Sequence, residues 1–337
     1  MNTETVRSRF VKTMHGELPA DRLPLLEWAP WWDATLEVWR QEGLDTDRDL
    51  RPYFGLDVET SIWVTLFKEG KCPVERKKTP GSICEYWIES EADYDALRPH
   101  LFPDPVPFDR AALAQIAARQ EAGETYVYYN FIGFFWWPRD LLGVEPHLYA
   151  FYDHPRLMHR INQDLAEYYS RAFETLLTVC VPDFVKFGED MAYNHGPMIS
   201  KALFDEFIAP YYRQVLPAIK SRGAVPIVDC DGFIEPLIPW FEEVGMEGSL
   251  PLERMAGVDV NRIRANHPRW RMIGGFDKTV MHLGEDRIRA EFERLLPVMR
   301  SGYFVPSVDH QTPLAVRVQD YQLYLQLLRE YGERACR

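Results

Sequence analysis

Along the second half of the chain, short apolar runs alternate with stretches in which apolar residues recur at helical spacing. DFVKFGED (183–190), AVPIVDCDG (224–232), EGSLPLE (247–253), RMIGGFD (271–277) and YFVPSVDH (303–310) predict buried strands. Helical spacing runs over 200–222, 259–266, 285–300 and 317–332; Gly223 stops the first, and EPLIPWFEEVG (235–245) opens on Glu235 and Pro236. Upstream, LPLLEW (23–28) and TYVYYNFIG (125–133) predict two further strands, with a long helix over 155–179. Strands alternating with helices predict βαβ units, hence a parallel sheet with right-handed crossovers. An eighth strand is expected within 55–90, so the count fits an α/β fold of the (β/α)8 TIM-barrel type better than a doubly wound sheet. No GxGxxG or GxxxxGK[ST] follows a strand, which removes the phosphate-loop readings. The whole of 1–337 is expected to be one barrel domain with an N-terminal extension over about residues 1–20.

The 337 residues carry 38 Lys and Arg against 51 Asp and Glu, a formal net charge of −13, and no basic stripe interrupts it. Such a field repels phosphate backbones and argues against nucleic acid as a partner. Cys72, Cys84, Cys180, Cys230 and Cys336 form an odd, scattered set that suits a reducing compartment better than a disulfide framework. No apolar run reaches the ~18 residues of a membrane span, and the polar N-terminus lacks a signal-peptide core. A soluble, cytoplasmic protein is the expectation.

In a β/α barrel the reactive groups sit at the C-terminal ends of the strands. Those positions hold Glu27, Trp28, Asn130, Glu189, Asp190, Asp229, Asp231, Glu253, Asp277, Asp309 and His310. Helix capping accounts for some of the acids, Asp190 and Asp277 first among them. Six strands ending in acids exceed what capping demands, and converging carboxylates raise one another's pKa or bind a cation. Asp229 and Asp231 share one face of their strand end while Cys230 takes the other. The catalytic candidates are therefore Asp229, Asp231, Glu189 and His310. Asp229, Asp231, Asp309 and His310 form a candidate divalent-metal set, with turn capping as the alternative reading. EWAPWWD (27–33) and NFIGFFWWPRD (130–140) supply an aromatic wall for a small-molecule ligand. The binding candidates are Trp28, Trp32, Phe135, Trp136, Trp137, Arg139, Asn130, His195, Glu253 and Asp277. Arg139 has an alternative role in pairing with Asp140 or Glu145.

LPLLEWAPWW, FFWWPRDLLG, FGEDMAYNHGPMISKALFDEFIAPYY (187–212), DCDGFIEPLIPWFEEVG (229–245), PLERMAGVDV (251–260), IGGFDK (273–278) and YFVPSVDHQTP (303–313) together resemble the uroporphyrinogen decarboxylase (URO-D) superfamily, which includes corrinoid-linked methyltransferases. The resemblance implies a (β/α)8 barrel with its site at the strand C-termini. Decarboxylases of this superfamily need no cofactor and hold a polycarboxylate ring with an arginine-rich loop; EWAPWWD stands where that loop is expected. Coenzyme M methyltransferases of the superfamily hold zinc through a His-x-Cys motif, and Asp229 and Asp231 stand at those two positions. The leading expectation is thus transfer of a methyl group from a small aromatic methyl ether or amine to a corrinoid protein. Cobamide would sit on that partner and Zn2+ would be the metal. The alternative is cofactor-free decarboxylation of a carboxylated ring. A homodimer is also what the resemblance implies.

Overall fold

A computed structural model describes residues 4–29, 31–72, 74–78 and 85–337. Seven parallel strands form one curled sheet in chain order: β1 (Glu59–Trp63), β2 (Tyr126–Ile132), β3 (Phe184–Gly188), β4 (Val225–Asp229), β5 (Gly248–Leu250), β6 (Arg271–Phe276) and β7 (Phe304–Val308). The eighth strand expected within 55–90 is β1. The LPLLEW segment takes the remaining place, between β7 and β1. Leu25 accepts a hydrogen bond from Asp57 N at 2.7 Å, and Trp28 N donates to Ser307 Oγ at 3.3 Å. It forms no regular ladder because Pro24 has no N–H and the Leu25 N–H is given to the Asp57 carboxylate. With this stave the sheet closes as a (β/α)8 TIM barrel.

The strands β2 to β7 are buried on both faces, which is why they read as near-continuous apolar runs, whereas β1 is only partly buried. Tyr126, Tyr128, Phe184, Val225, Ile227, Leu250, Ile273 and Val305 fill the barrel, together with Leu26 of the eighth stave. The helix Val6–Met14 closes the barrel from its N-terminal end. Phe10 stacks on Tyr126 with ring centroids 4.1 Å apart, and Thr13 accepts from Tyr303 N at 2.8 Å. The lower barrel is therefore filled and largely apolar; its buried acid, Glu59 of β1, accepts from the Tyr126 hydroxyl at 2.8 Å.

The helical stretch expected over 200–222 is two helices, Lys201–Phe207 and Ala209–Lys220, broken at Ile208 (φ −124°). Pro210 at the start of the second has no N–H to continue the first. The long helix runs Pro155–Leu176, and the last spans Val318–Ala335. Among the described residues no helix is long and apolar enough to cross a membrane.

Candidate functional site

A cavity of about 330 Å³ opens among the C-terminal ends of the strands. Its size lies at the lower end of the ~300–1,000 Å³ typical of ligand pockets. Trp28, Trp63, Phe131 and Trp136 wall it; Lys186, Asp190, Asp229 and Asp231 form its floor; His310 and Gln311 stand at the edge. The period of two sets the floor. Phe184 and Ile227 point into the filled barrel, so Lys186 and Asp229, two positions on, point into the cavity above it. Lys186 Nζ lies 2.7 Å from Asp229 Oδ2, both side chains being largely buried. The register β1–β2–β3 sets Trp63 beside Asn130 and Asn130 beside Lys186. The Lys186 ammonium lies 4.6 Å from the Trp28 ring centre and 5.3 Å from that of Trp63.

Two consecutive acids after β3 face opposite ways. Glu189 turns outward with no exposed surface. Its carboxylate accepts from the backbone N–H groups of Phe134 (2.9 Å), Phe135 (2.7 Å) and Trp136 (3.1 Å), and from the Tyr212 hydroxyl. Gly133 makes room for it, since a Cβ there would stand 2.1 Å from Glu189 Cδ. Glu189 thus anchors the loop that carries Trp136 and Arg139. Asp190, held at φ +39°, turns inward. It accepts from Asp231 N at 3.1 Å, while Arg139 donates to its carbonyl at 2.9 Å and approaches its carboxylate at 3.8 Å. The Arg139 guanidinium also lies over Trp136, 4.0 Å from the ring centre. Asp140, the partner expected for Arg139, pairs with Arg76 instead, at 3.2 Å.

Electrostatics separate the three floor acids. Burial, with Asp231 and Asp229 adding to it, pushes the Asp190 carboxyl up to about 7 against the pull of the Asp231 N–H and Arg139. Asp190 therefore carries a proton for much of the time at neutral pH. Burial also raises Asp229, and the Lys186 ammonium opposes that rise. His310 Nε2 lies 3.5 Å from Asp231 Oδ2, and that partner raises the imidazole pKa.

Of the residues singled out from sequence, Trp28, Trp136, Asp229, Asp231 and His310 meet in the cavity, with Arg139 directly behind it. The others lie elsewhere, each for a local reason. Glu189 is consumed by the loop N–H groups. Asp309, fully buried, accepts from Arg254 N (2.8 Å) and Lys278 N (3.3 Å), tying together the loops after β5 and β6. It is not part of a donor set with Asp229. Phe135 and Trp137 belong to the core, and Trp32 is exposed at the start of the helix Asp33–Gln41. His195 sits exposed in the hairpin of Ala192–Tyr193 and Gly196–Pro197. Glu253 accepts from Gly232 N at 2.9 Å, and Asp277 caps its turn by accepting from Thr279 N at 2.9 Å. Asn130 is buried beneath the wall, its Nδ2 without a partner among the described residues.

Sequence reasoning passed over Lys186 and Trp63 and left Asp190 as a cap. A lone lysine inside the apolar strand FVKFG is a usable signal, since lysine is rarely fully buried without a partner. Trp63 carried no signal while β1 could not be placed.

The donor set does not fit zinc. The carboxylate oxygens of Asp190, Asp229 and Asp231 come within 4.8 Å of one another, but Arg139, Lys186 and His310 each already face one of them. Zinc binds thiolate, imidazole and free carboxylate ligands, and its commonest sites include Cys or His. Cys230 turns into the core, where burial holds its thiol well above the ordinary range, and the one imidazole faces Asp231.

The family model for uroporphyrinogen decarboxylase (URO-D) matches residues 75–331. No curated protein sequence matches the chain. Among solved structures, a methyltransferase from Methanosarcina mazei superposes with a TM-score of 0.65 at 16% identity, covering 97% of this chain and 99% of that one. Fpglu1 from Fervidobacterium pennivoraus superposes at 0.43 and 10% identity, covering 89% and 83%. At such identities the likeness to the Methanosarcina protein is one of fold.

Proposed function

The chain belongs to the uroporphyrinogen decarboxylase family, and from that premise we propose that it is a methyltransferase moving the methyl group of a small aromatic donor to a corrinoid protein. One observation carries the reading: Asp190, proton-bearing near neutrality, borders a tryptophan-walled cavity of small-molecule size. An aryl–oxygen or aryl–nitrogen leaving group departs poorly as an anion, so its departure needs a proton donor. The ring lies against Trp28 and Trp136. As the methyl–heteroatom bond breaks, the electron pair stays on the heteroatom, which takes the Asp190 proton. Arg139 holds Asp190 in place through its carbonyl, and Lys186 fixes Asp229 beneath. A corrinoid on a separate protein would supply the nucleophile that takes the methyl group.

Support for a protein partner comes from the rim. Of the thirteen exposed large apolar side chains among the described residues, six (Trp32, Trp63, Tyr193, Met255, Leu283 and Leu314) lie at strand C-termini or in the segments that follow them. Exposed apolar residues gathered on one functional face mark an interaction surface. The test is to incubate the purified protein with a reduced corrinoid protein and a panel of methoxyarenes and N-methylarylamines. Methyl-corrinoid absorbance with at least one donor is expected; none with any donor overturns the reading. A second reading, decarboxylation of a carboxylated ring, is favoured by the same acid and the Lys186 ammonium lining one cavity. Release of carbon dioxide from aromatic acids, without methyl-corrinoid formation, would establish it.

A further inference from the structure

Trp28 and Trp63 turn toward a single point, and Lys186 Nζ occupies it, 4.6 and 5.3 Å from their ring centres and 2.7 Å from Asp229 Oδ2. Two indole faces and a carboxylate around a cation make the arrangement that recognises alkylammonium ligands. Here the cation belongs to the chain. The third tryptophan of the wall is treated alike, with the Arg139 guanidinium 4.0 Å from the Trp136 ring centre. All three indoles of the cavity thus carry a cation of the protein's own.

We propose that Lys186 is a specificity-determining residue: it fills the cation cage from within, shuts out alkylammonium methyl donors, and leaves the cavity to uncharged aromatic ethers. The proposal rests on the methyl-donor reading given above for its biological meaning, but the selection is a property of binding alone. An ammonium entering the cage meets the Lys186 charge within about 5 Å. At the screening typical of protein sites, that repulsion weakens affinity roughly 100-fold, before the floor carboxylates offset part of it. A neutral group of the same shape meets no such repulsion and keeps the contact with the rings.

Choline and 3,3-dimethylbutan-1-ol share one shape and differ in the charge of the central atom, so calorimetric titration of both isolates the effect. The wild-type protein is expected to bind the alcohol about tenfold or more tightly than choline. Lys186→Ala empties the cage while keeping Asp229, and is expected to reverse the order in favour of choline. Equal or tighter binding of choline by the wild type, binding of neither ligand, or an unchanged order in Lys186→Ala overturns the proposal. Should the unpaired Asp229 prevent that variant from folding, Lys186→Met with Asp229→Asn removes both charges at near-constant volume. The choline penalty should then shrink to within about threefold, and persistence of the full penalty would likewise overturn the proposal. None of these titrations involves methyl transfer, so failure of the transfer reading leaves the ordering intact, and failure of the ordering leaves transfer open.

Discussion

Replacing Asp190 by Asn removes the proton and little else. Residue 190 sits at φ +39°, and Asn shares with Asp the ability to adopt positive φ. The Asn oxygen can still accept from Asp231 N (3.1 Å in the wild type), and the backbone carbonyl still accepts from Arg139. General acid catalysis contributes about 10²–10⁴-fold, so the turnover of Asp190→Asn should fall by that factor, equivalent to roughly 3–5 kcal/mol of barrier. The pH dependence gives a sharper signature. Because burial raises the Asp190 carboxyl to about 7, its proton is present below that pH and lost above it. Wild-type rates should fall about tenfold per unit above pH 7, and the limb should vanish in the variant. Stability follows the same sign. A folded-state pKa raised above the unfolded value favours folding below the unfolded pKa, and that contribution is lost as pH rises from about 4 through 7. Asp190→Asn should therefore be the more stable protein at pH 8 by about 1–3 kcal/mol, after discounting partial solvent access. Product formation followed from pH 5.5 to 8.5 tests the kinetic part, and urea denaturation at pH 5.5 and 8 tests the other. An activity within about threefold of wild type, or a limb near pH 7 that survives in the variant, refutes the assignment.

Gly133→Ala places a methyl group where the Glu189 carboxylate lies, 2.1 Å from Cδ; overpacking of this kind costs about 1–3 kcal/mol. A thermal midpoint lowered by a few degrees is expected, and an unchanged midpoint would show that the carboxylate does not fill that space. His310 should titrate by NMR with a midpoint above its ordinary value and return toward it in Asp231→Asn, because Asp231 is the main cause of its rise. Since that shift is upward, the stabilisation His310 gives is present at low pH and lost as pH rises through the folded value. Zinc added to the purified protein should fail to bind stoichiometrically, since Lys186, Arg139 and His310 already face the floor carboxylates; one tightly held zinc per chain by atomic absorption would contradict this.

The barrel is legible because six of its strands, β2 to β7, are buried on both faces and its helices on one, two patterns that sequence separates well. β1 was harder: ETSIW is only partly buried and carries no continuous apolar run. The strand-end rule points to Trp28, Asp229, Asp231 and His310, and the aromatic run NFIGFFWWPRD to Trp136, and these residues line the one cavity. It could not assign Glu189 and Asp190, because a positive φ between them breaks the alternation and sends neighbouring acids to opposite sides. Asp309 stands apart from the cavity for a related reason. Its partners Arg254 N and Lys278 N come from loops 55 and 31 residues away, and no local pattern announces them. Lys186 lies outside the strand-end rule because the cavity floor reaches one inward position deeper.

The account turns on the protonation of a single side chain. Carbon-13 NMR of the aspartate carboxyl groups, with the Asp190 signal identified by its loss in Asp190→Asn, reads that directly across pH 3 to 9. A midpoint near 7 is predicted. An ordinary aspartate midpoint near 4 would mean that Asp190 holds no proton at neutral pH, and the cavity would have no acid to give a leaving group.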